Sequence, residues 1–350
     1  MFQTYRNSWY INDETINQNF TFYLIEKSPA SLKTRKSIVG TLDALESQIG
    51  PDIVFTVFGP SYWRPKARHL LGFADGWVYN PDSVAYDRLP LLKRFKMRLH
   101  AMYKAFYIKQ DADYFMIETE DAKQKLSETI RIGIEKIYVV GNTCSSVFED
   151  KSYLDKTNEN YLTLSEKEKY EFRLVYIAHN HANKNISVIA QVLPLLEGYN
   201  VKFVLTLDED SYTKIFHSVV GQDKIINVGP IPHKTCPSLY AQCDALFAPT
   251  LLETFSAAYP EAMKMEKPIL TSNYSFATDV CGDAALYFDP LDPIDIAAKI
   301  RMLVDDPMLR QELVDKGKKR VQTFETARSR AEKYVALCEK LAKENKKGEK

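Results

Sequence analysis

At 350 residues the chain is long enough for two domains of ordinary size, and its 45% hydrophobic and 26% charged residues are those of a globular protein. Lys+Arg and Asp+Glu number 46 each, so a formal net charge of zero excludes a global pull toward nucleic acid. No apolar run approaches the roughly 18 residues of a membrane span, and five scattered cysteines without C-x-x-C spacing fit reduced, cytoplasmic thiols rather than a disulfide frame or a metal site.

Strand-like and helix-like segments alternate, which predicts an α/β fold of parallel sheets covered by helices. The first strands are expected at 20–25 and 53–58. Residues 55–77 then turn at Gly59-Pro60 and present Tyr62, Trp63, Arg64, Lys66 and His69. Aromatic faces suit sugar rings and basic groups suit phosphate; the same residues also fit an aromatic-anchored loop packed on its own domain. From Arg88 to Lys109 there are seven Lys/Arg and no acid, with Leu92, Phe95, Leu99, Met102, Tyr103 and Phe106 at helical spacing. Two readings fit: a helix that packs on the core and solvates its basic face, or a basic amphipathic helix on an anionic membrane surface.

Further strands are expected at 114–117 and 137–140. The polar, charged stretch 148–171 reads as a linker, with a boundary near Asp150. This gives a first domain at 1–150, a linker at 151–168 and a second domain at 169–345. Second-domain strands are expected at 172–177, 201–207, 225–228, 245–248, 268–270 and 285–288. Asp208-Glu209-Asp210 follows a strand and reads as a solvated turn rather than a metal motif. Asp292-Pro293 and Asp306-Pro307 read as N-cap and first helical residue of two helices. A last helix places Ala327, Ala331, Tyr334, Val335, Cys338 and Leu341 at helical spacing.

The most informative segment is Pro249-Thr250-Leu251-Leu252-Glu253-Thr254-Phe255-Ser256, which leads to Pro260-Glu261-Ala262-Met263. Glu253 falls at the carboxyl end of a strand, and Glu261 follows within the next helix. In an open α/β sheet that crevice is where ligands bind. Two carboxylates beside backbone N–H groups suit a ligand with both hydroxyls and a phosphate.

This segment, with Glu261-Ala262-Met263 and Gly282-Asp283-Ala284-Ala285 in order after it, resembles the E-x7-E signature of the retaining glycosyltransferases of family 4. The resemblance implies the GT-B fold, two Rossmann-like domains facing a cleft. It implies a cytoplasmic enzyme that transfers a sugar from a nucleotide sugar to a glycan or lipid-linked acceptor in polysaccharide or glycolipid assembly; a place on the inner face of a membrane would come from the basic helix at 88–109. No metal and no cofactor beyond the donor are implied.

By that resemblance Glu261 accepts ribose hydroxyls, Glu253 faces hydroxyls of the transferred sugar, and Thr254, Phe255 and Ser256 offer backbone N–H groups to the diphosphate. Ser256 stands where the family has Gly, and is expected to cap the helix. Lys184 matches the lysine on the leaving diphosphate. The usual arginine is missing; His179 stands near its place. Gly229 resembles the turn beside the nucleotide. Tyr62, Trp63 and Arg64 are placed on the acceptor side. The terminal helix either returns to the first domain, as in the family, or packs on its own.

The first half departs from the pattern. No Gly precedes Gly40, and the strand at 20–25 resembles the family's second strand. Either the start is truncated, the reading we favour, or the first unit has diverged; two alternatives to the transferase stay open, a non-catalytic nucleotide-sugar-binding module and a GT-B-like epimerase.

Overall fold

A computed structural model describes residues 2–3, 21–149, 151 and 155–348. A short parallel pair, β1 (Phe2–Gln3) and β2 (Tyr23–Leu24), precedes helix α1 (Arg35–Ile49). The first sheet then runs β3 (Ile53–Thr56), β4 (Arg68–Gly72), β5 (Tyr114–Ile117) and β6 (Ile137–Val139), all parallel and in sequence order. Its crossovers carry α2 (Gly76–Tyr79), α3 (Leu91–Asp111) and α4 (Glu120–Ile130). The expected boundary at Asp150 and the start of the strand expected at 20–25 lie outside the described residues.

Strand β4 is a correction to the sequence reading, which took the residues after Gly59-Pro60 as a loop, either facing an acceptor or packed on its own domain. Leu70 and Leu71 are completely buried, and so is His69. The His69 ring sits 2.8 Å from Thr56 Oγ1 and also meets the carbonyl of Asp111. Burial lowers its pKa, so it is held neutral. The strand was hidden because Arg68 and His69 break the apolar run, yet both their neighbours pair on each side within the sheet.

The second sheet has six parallel strands: β7 (Phe172–Tyr176), β8 (Val201–Leu205), β9 (Ile225–Asn227), β10 (Ala245–Ala248), β11 (Ile269–Ser272) and β12 (Ala285–Phe288). Their order is β12-β11-β10-β7-β8-β9. The chain reverses direction across the sheet between β7 and β10, and that switch point opens a crevice at the carboxyl ends of those two strands. Helices α5 (Val188–Val192), α6 (Glu209–Phe216), α7 (Cys236–Ala241), α8 (Ala258–Lys264), α9 (Ser275–Cys281) and α10 (Pro293–Asp305) cover the sheet. Every residue of β7, β10 and β11 is buried, as expected for strands covered on both faces. Asp208 is the N-cap of α6, accepting from Ser211 N at 2.9 Å, and so belongs to a helix start rather than a free turn.

The Asp-Pro pairs start helices as expected. Asp292 caps α10 and Asp306 caps α11 (Pro307–Val321), each with Pro at the first helical position. The terminal helix α12 (Ala327–Gly348) leaves the second domain and lies on the first sheet. There Leu337 and Leu341 pack with Leu70, Met116 and Val140. Tyr334 meets Phe55 at a ring-centroid distance of 5.7 Å. Of the two placements open from the sequence, the return to the first domain is the one adopted.

Candidate functional site

The loops after β7 and β10 are stapled together at the switch point. Asn183 donates from its side chain to Leu252 O at 2.9 Å, and its carbonyl accepts from Leu251 N at 2.7 Å. Asn185 takes a left-handed conformation (φ 51°) and anchors to Pro290 O at 2.9 Å. This turn aims Lys184 at the second loop, where its Nζ is ion-paired with Glu253 Oε1. Thr250 Oγ1 lies 3.0 Å from the same carboxylate oxygen. Both charged side chains are mostly covered, which strengthens the pair relative to one on an open surface.

Glu261 sits in the first turn of α8, and Pro260 beside it costs little because the first turn has no partner for its nitrogen. Burial pushes the Glu261 carboxyl up to about 7, against a smaller opposing effect of the Tyr240 hydroxyl. Cys144, after β6, feels that carboxylate: burial first, and then Glu261, push its thiol up to about 12. Glu261 thus closes a part-buried corner between the two domains.

The helix start differs from the expectation. Ala257, not Ser256, occupies the N-cap position, with no side-chain cap. Ser256 is buried two residues before the helix, and its carbonyl accepts from Tyr259 N at 3.2 Å. Thr254, Phe255 and Ser256 therefore form the approach to α8 rather than its first turn. Phe255 packs edge-on against Phe324, with centroids 6.0 Å apart.

Thr254 looks across the cleft. Its hydroxyl donates to Glu118 Oε2 at 3.3 Å, at the end of β5 in the first domain. Glu118 Oε1 in turn accepts from Asn142 at 2.6 Å and from Arg330 of α12 at 3.2 Å. A Cβ on Gly76 would lie 3.2 Å from Leu252 Cγ and 3.4 Å from Glu253 O, so the bare backbone of α2 abuts the glutamate loop. None of Asn183, Glu118, Asn142, Arg330 or Gly76 was singled out from the sequence. A signal existed only for Gly76, a glycine beside the Asp75 that caps Trp77 N.

Other expected residues stand apart from this group. His179 is exposed just beyond β7, its ring 6.2 Å from that of His181. Gly229 follows β9 at φ 73°, in open space, so its conformation and not close approach calls for glycine. The expected acceptor cluster is occupied by its own domain. Trp63 is buried and donates its indole N–H to Asp43 at 2.8 Å. Arg64 is ion-paired with Asp113. Tyr62 lies against Tyr103, Tyr107 and the Arg35 guanidinium. Of the two placements open from the sequence, Trp63 and Arg64 both make contacts within their own domain. A cavity of about 510 Å³ does span the two domains, between Ser83 and Lys125 on one side and Leu251, Leu252 and Ser275 on the other.

Comparison with known proteins agrees with this architecture. The family profile of Glycosyl transferases group 1 matches residues 160–320. The capsular polysaccharide biosynthesis glycosyltransferase CapM of Staphylococcus aureus is 28% identical over 251 residues, 67% of this chain and 63% of that protein. The O-antigen chain mannosyltransferase B of Escherichia coli is 24% identical over 241 residues, 65% of this chain and 61% of that protein. The chain thus spans a little under two thirds of the length of these relatives. Among solved structures, a glycosyltransferase from Rickettsia africae superposes with a TM-score of 0.68 at 14% identity, covering 91% of this chain and 84% of that one. Anabaena HepE in complex with UDP and glucose gives 0.65 at 12%, covering 91% and 85%. Residues 160–320 thus match the Glycosyl transferases group 1 family, and the two-sheet architecture is the GT-B fold.

Proposed function

We propose that this chain is a retaining, family 4 type glycosyltransferase. It moves a sugar from a nucleotide-sugar donor to a glycan or lipid-linked acceptor in the assembly of a polysaccharide or glycolipid. The observation that carries the proposal is the Lys184–Glu253 pair at the switch point, with Glu261 in the next helix. The similarity to CapM, a capsular polysaccharide biosynthesis glycosyltransferase, and to an O-antigen chain mannosyltransferase, and the UDP and glucose held by HepE, support the same reading.

In this reading Glu261 accepts the ribose hydroxyls and Glu253 the hydroxyls of the transferred sugar, each as an acceptor-only carboxylate. Lys184 answers the charge that builds on the leaving diphosphate. Backbone N–H groups of Thr254, Phe255 and Ser256 meet the same diphosphate, and Gly229 lets the chain turn beside the nucleotide. His179, exposed just beyond β7, stands in part for the family's arginine. The acceptor approaches through the cavity between the domains, whose Leu251 and Leu252 immediately precede Glu253. Positioning and leaving-group stabilisation do the work, and the reading assigns no step to a metal.

The test is calorimetric titration with a panel of nucleotide sugars, followed by transfer assays on glycan and lipid-linked acceptors, with and without EDTA. Sub-millimolar binding of one donor, and a product that keeps the donor's anomeric configuration, are expected. An inverted product would remove the retaining assignment, and EDTA-sensitive transfer would remove metal independence. A second reading, a donor-binding module without catalysis, is favoured by one observation: Glu118, which faces the glutamate loop, is already engaged by Arg330 and Asn142. Binding without transfer to any acceptor is its signature.

A further inference from the structure

The apolar stripe of α3 does not pack on the core. Leu91, Leu92, Phe95, Leu99, Met102 and Phe106 are between 48% and 79% exposed. At about 100° of rotation per residue, the six fall in one sector roughly 100° wide. The helix buries a different face, through Ala101, Ile108 and Asp111. Scattered exposed apolar residues are ordinary, but a contiguous row on one helix face marks an interaction surface.

Charge selects the partner. Lys93, Lys96, Arg98 and Lys109 are exposed on the same helix. By the same rotation, Arg98 and Lys109 border one edge of the apolar sector and Lys96 the other. The only acid of the helix, Asp111, is buried, while Arg94 and Lys104 are matched by Asp87 and Asp75. A second copy docked face to face would set these cations against themselves. An anionic lipid surface satisfies both parts, with apolar side chains at the acyl boundary and ammonium groups among the headgroups. The stripe also runs into a groove of about 500 Å³, where Met102 and Phe106 meet Val78 and Tyr86 beside Arg98 and Arg131.

We propose that α3 is a membrane-docking helix, lying in the plane of an anionic bilayer with Phe95 and Met102 inserted and Lys96, Arg98 and Lys109 on lipid phosphates. The first domain would then hold the cleft at the membrane surface, within reach of an amphiphile anchored there.

Vesicle flotation tests this with the full chain, on phosphatidylcholine alone and on phosphatidylcholine with phosphatidylglycerol. Binding is expected only with phosphatidylglycerol, and it should fall when salt rises from about 0.1 to 0.5 M. Lys96→Gln, Arg98→Gln and Lys109→Gln together should weaken it on the order of 100-fold. Phe95→Ser with Met102→Ser should weaken it as well, with thermal melts unchanged because all these side chains are exposed. Unchanged flotation of the triple Gln variant, or equal binding to neutral vesicles, would overturn the proposal. A lipid-free dimer abolished by Phe95→Ser would reassign the face to a second copy. Flotation is read without sugar donor, so its failure leaves the donor site standing, and loss of donor binding leaves this surface standing.

Discussion

Lys184 and Glu253 are ion-paired although 69 residues separate them, one after β7 and the other after β10. The pair spans the switch point and is held from both sides by Asn183 and Thr250. Under the proposed function, a donor diphosphate arriving at Lys184 would compete with Glu253 for the same ammonium and free the carboxylate to accept sugar hydroxyls. Binding and site assembly are thereby coupled through one exchange of partners.

Lys184→Ala should lower turnover about 100-fold or more while changing donor affinity far less, because its charge matters most when the leaving group forms. Steady-state kinetics beside calorimetry check this. Equal losses in both, or none, would place the lysine outside the reacting site.

Glu261 carries a pH dependence. Its carboxyl is raised by burial to about 7 in the folded chain, so folded protein binds more protons than unfolded protein between the ordinary carboxylate range and about pH 7. The stability it contributes is complete at low pH and is lost as pH rises through about 7. Glu261→Gln should flatten that slope, by on the order of 2 kcal/mol between pH 5 and 8. Donor affinity should move the other way, rising from pH 6 to 8 as the carboxylate ionises. Glu261→Ala should weaken binding about 10- to 100-fold. Chemical denaturation and titration at several pH values report the two trends.

Arg330 is expected to matter for stability because Glu118 is buried and burial raises its carboxyl pKa against the pull of Arg330. Arg330→Met removes the matching cation and should cost about 3 kcal/mol in urea denaturation. Adding Glu118→Gln should recover much of that loss. If the double variant is no more stable than Arg330→Met, the pair is not coupled.

Leu341 is completely buried where α12 crosses the first sheet. Leu341→Ala should destabilise the chain by about 3 kcal/mol, as cavity-forming substitutions do. Val335→Ala, on the 59% exposed face of the same helix, should change stability by about 0.5 kcal/mol or less. Thermal melts of the two variants decide whether α12 is anchored as described.

Much of the second domain was legible because strands buried on both faces write themselves as short apolar runs. The strands expected at 245–248 and 285–288 have the observed bounds, and Asp292-Pro293 and Asp306-Pro307 start their helices by local chemistry alone. The glutamate pair stood out because it follows a strand, whereas Lys184 was pointed to only by the family resemblance. The first domain was less legible. Arg68 and His69 disguised β4, and whether residues 62–64 packed on their own domain stayed open until Asp43 was seen to hold Trp63 and Asp113 to pair with Arg64.

By itself the sequence determined the alternation of strands and helices, the crevice at a strand end and the spacing of Glu253 and Glu261. These are local properties, set by periodicity, capping and turn chemistry. Only tertiary structure decided that Lys184 meets Glu253, that Glu118 reaches Thr254 with Arg330 behind it, and that the apolar row of α3 faces outward. A helical stripe records which residues share a face; what covers that face depends on elements distant in the chain, and for α3 the buried face is the one carrying Ala101 and Ile108.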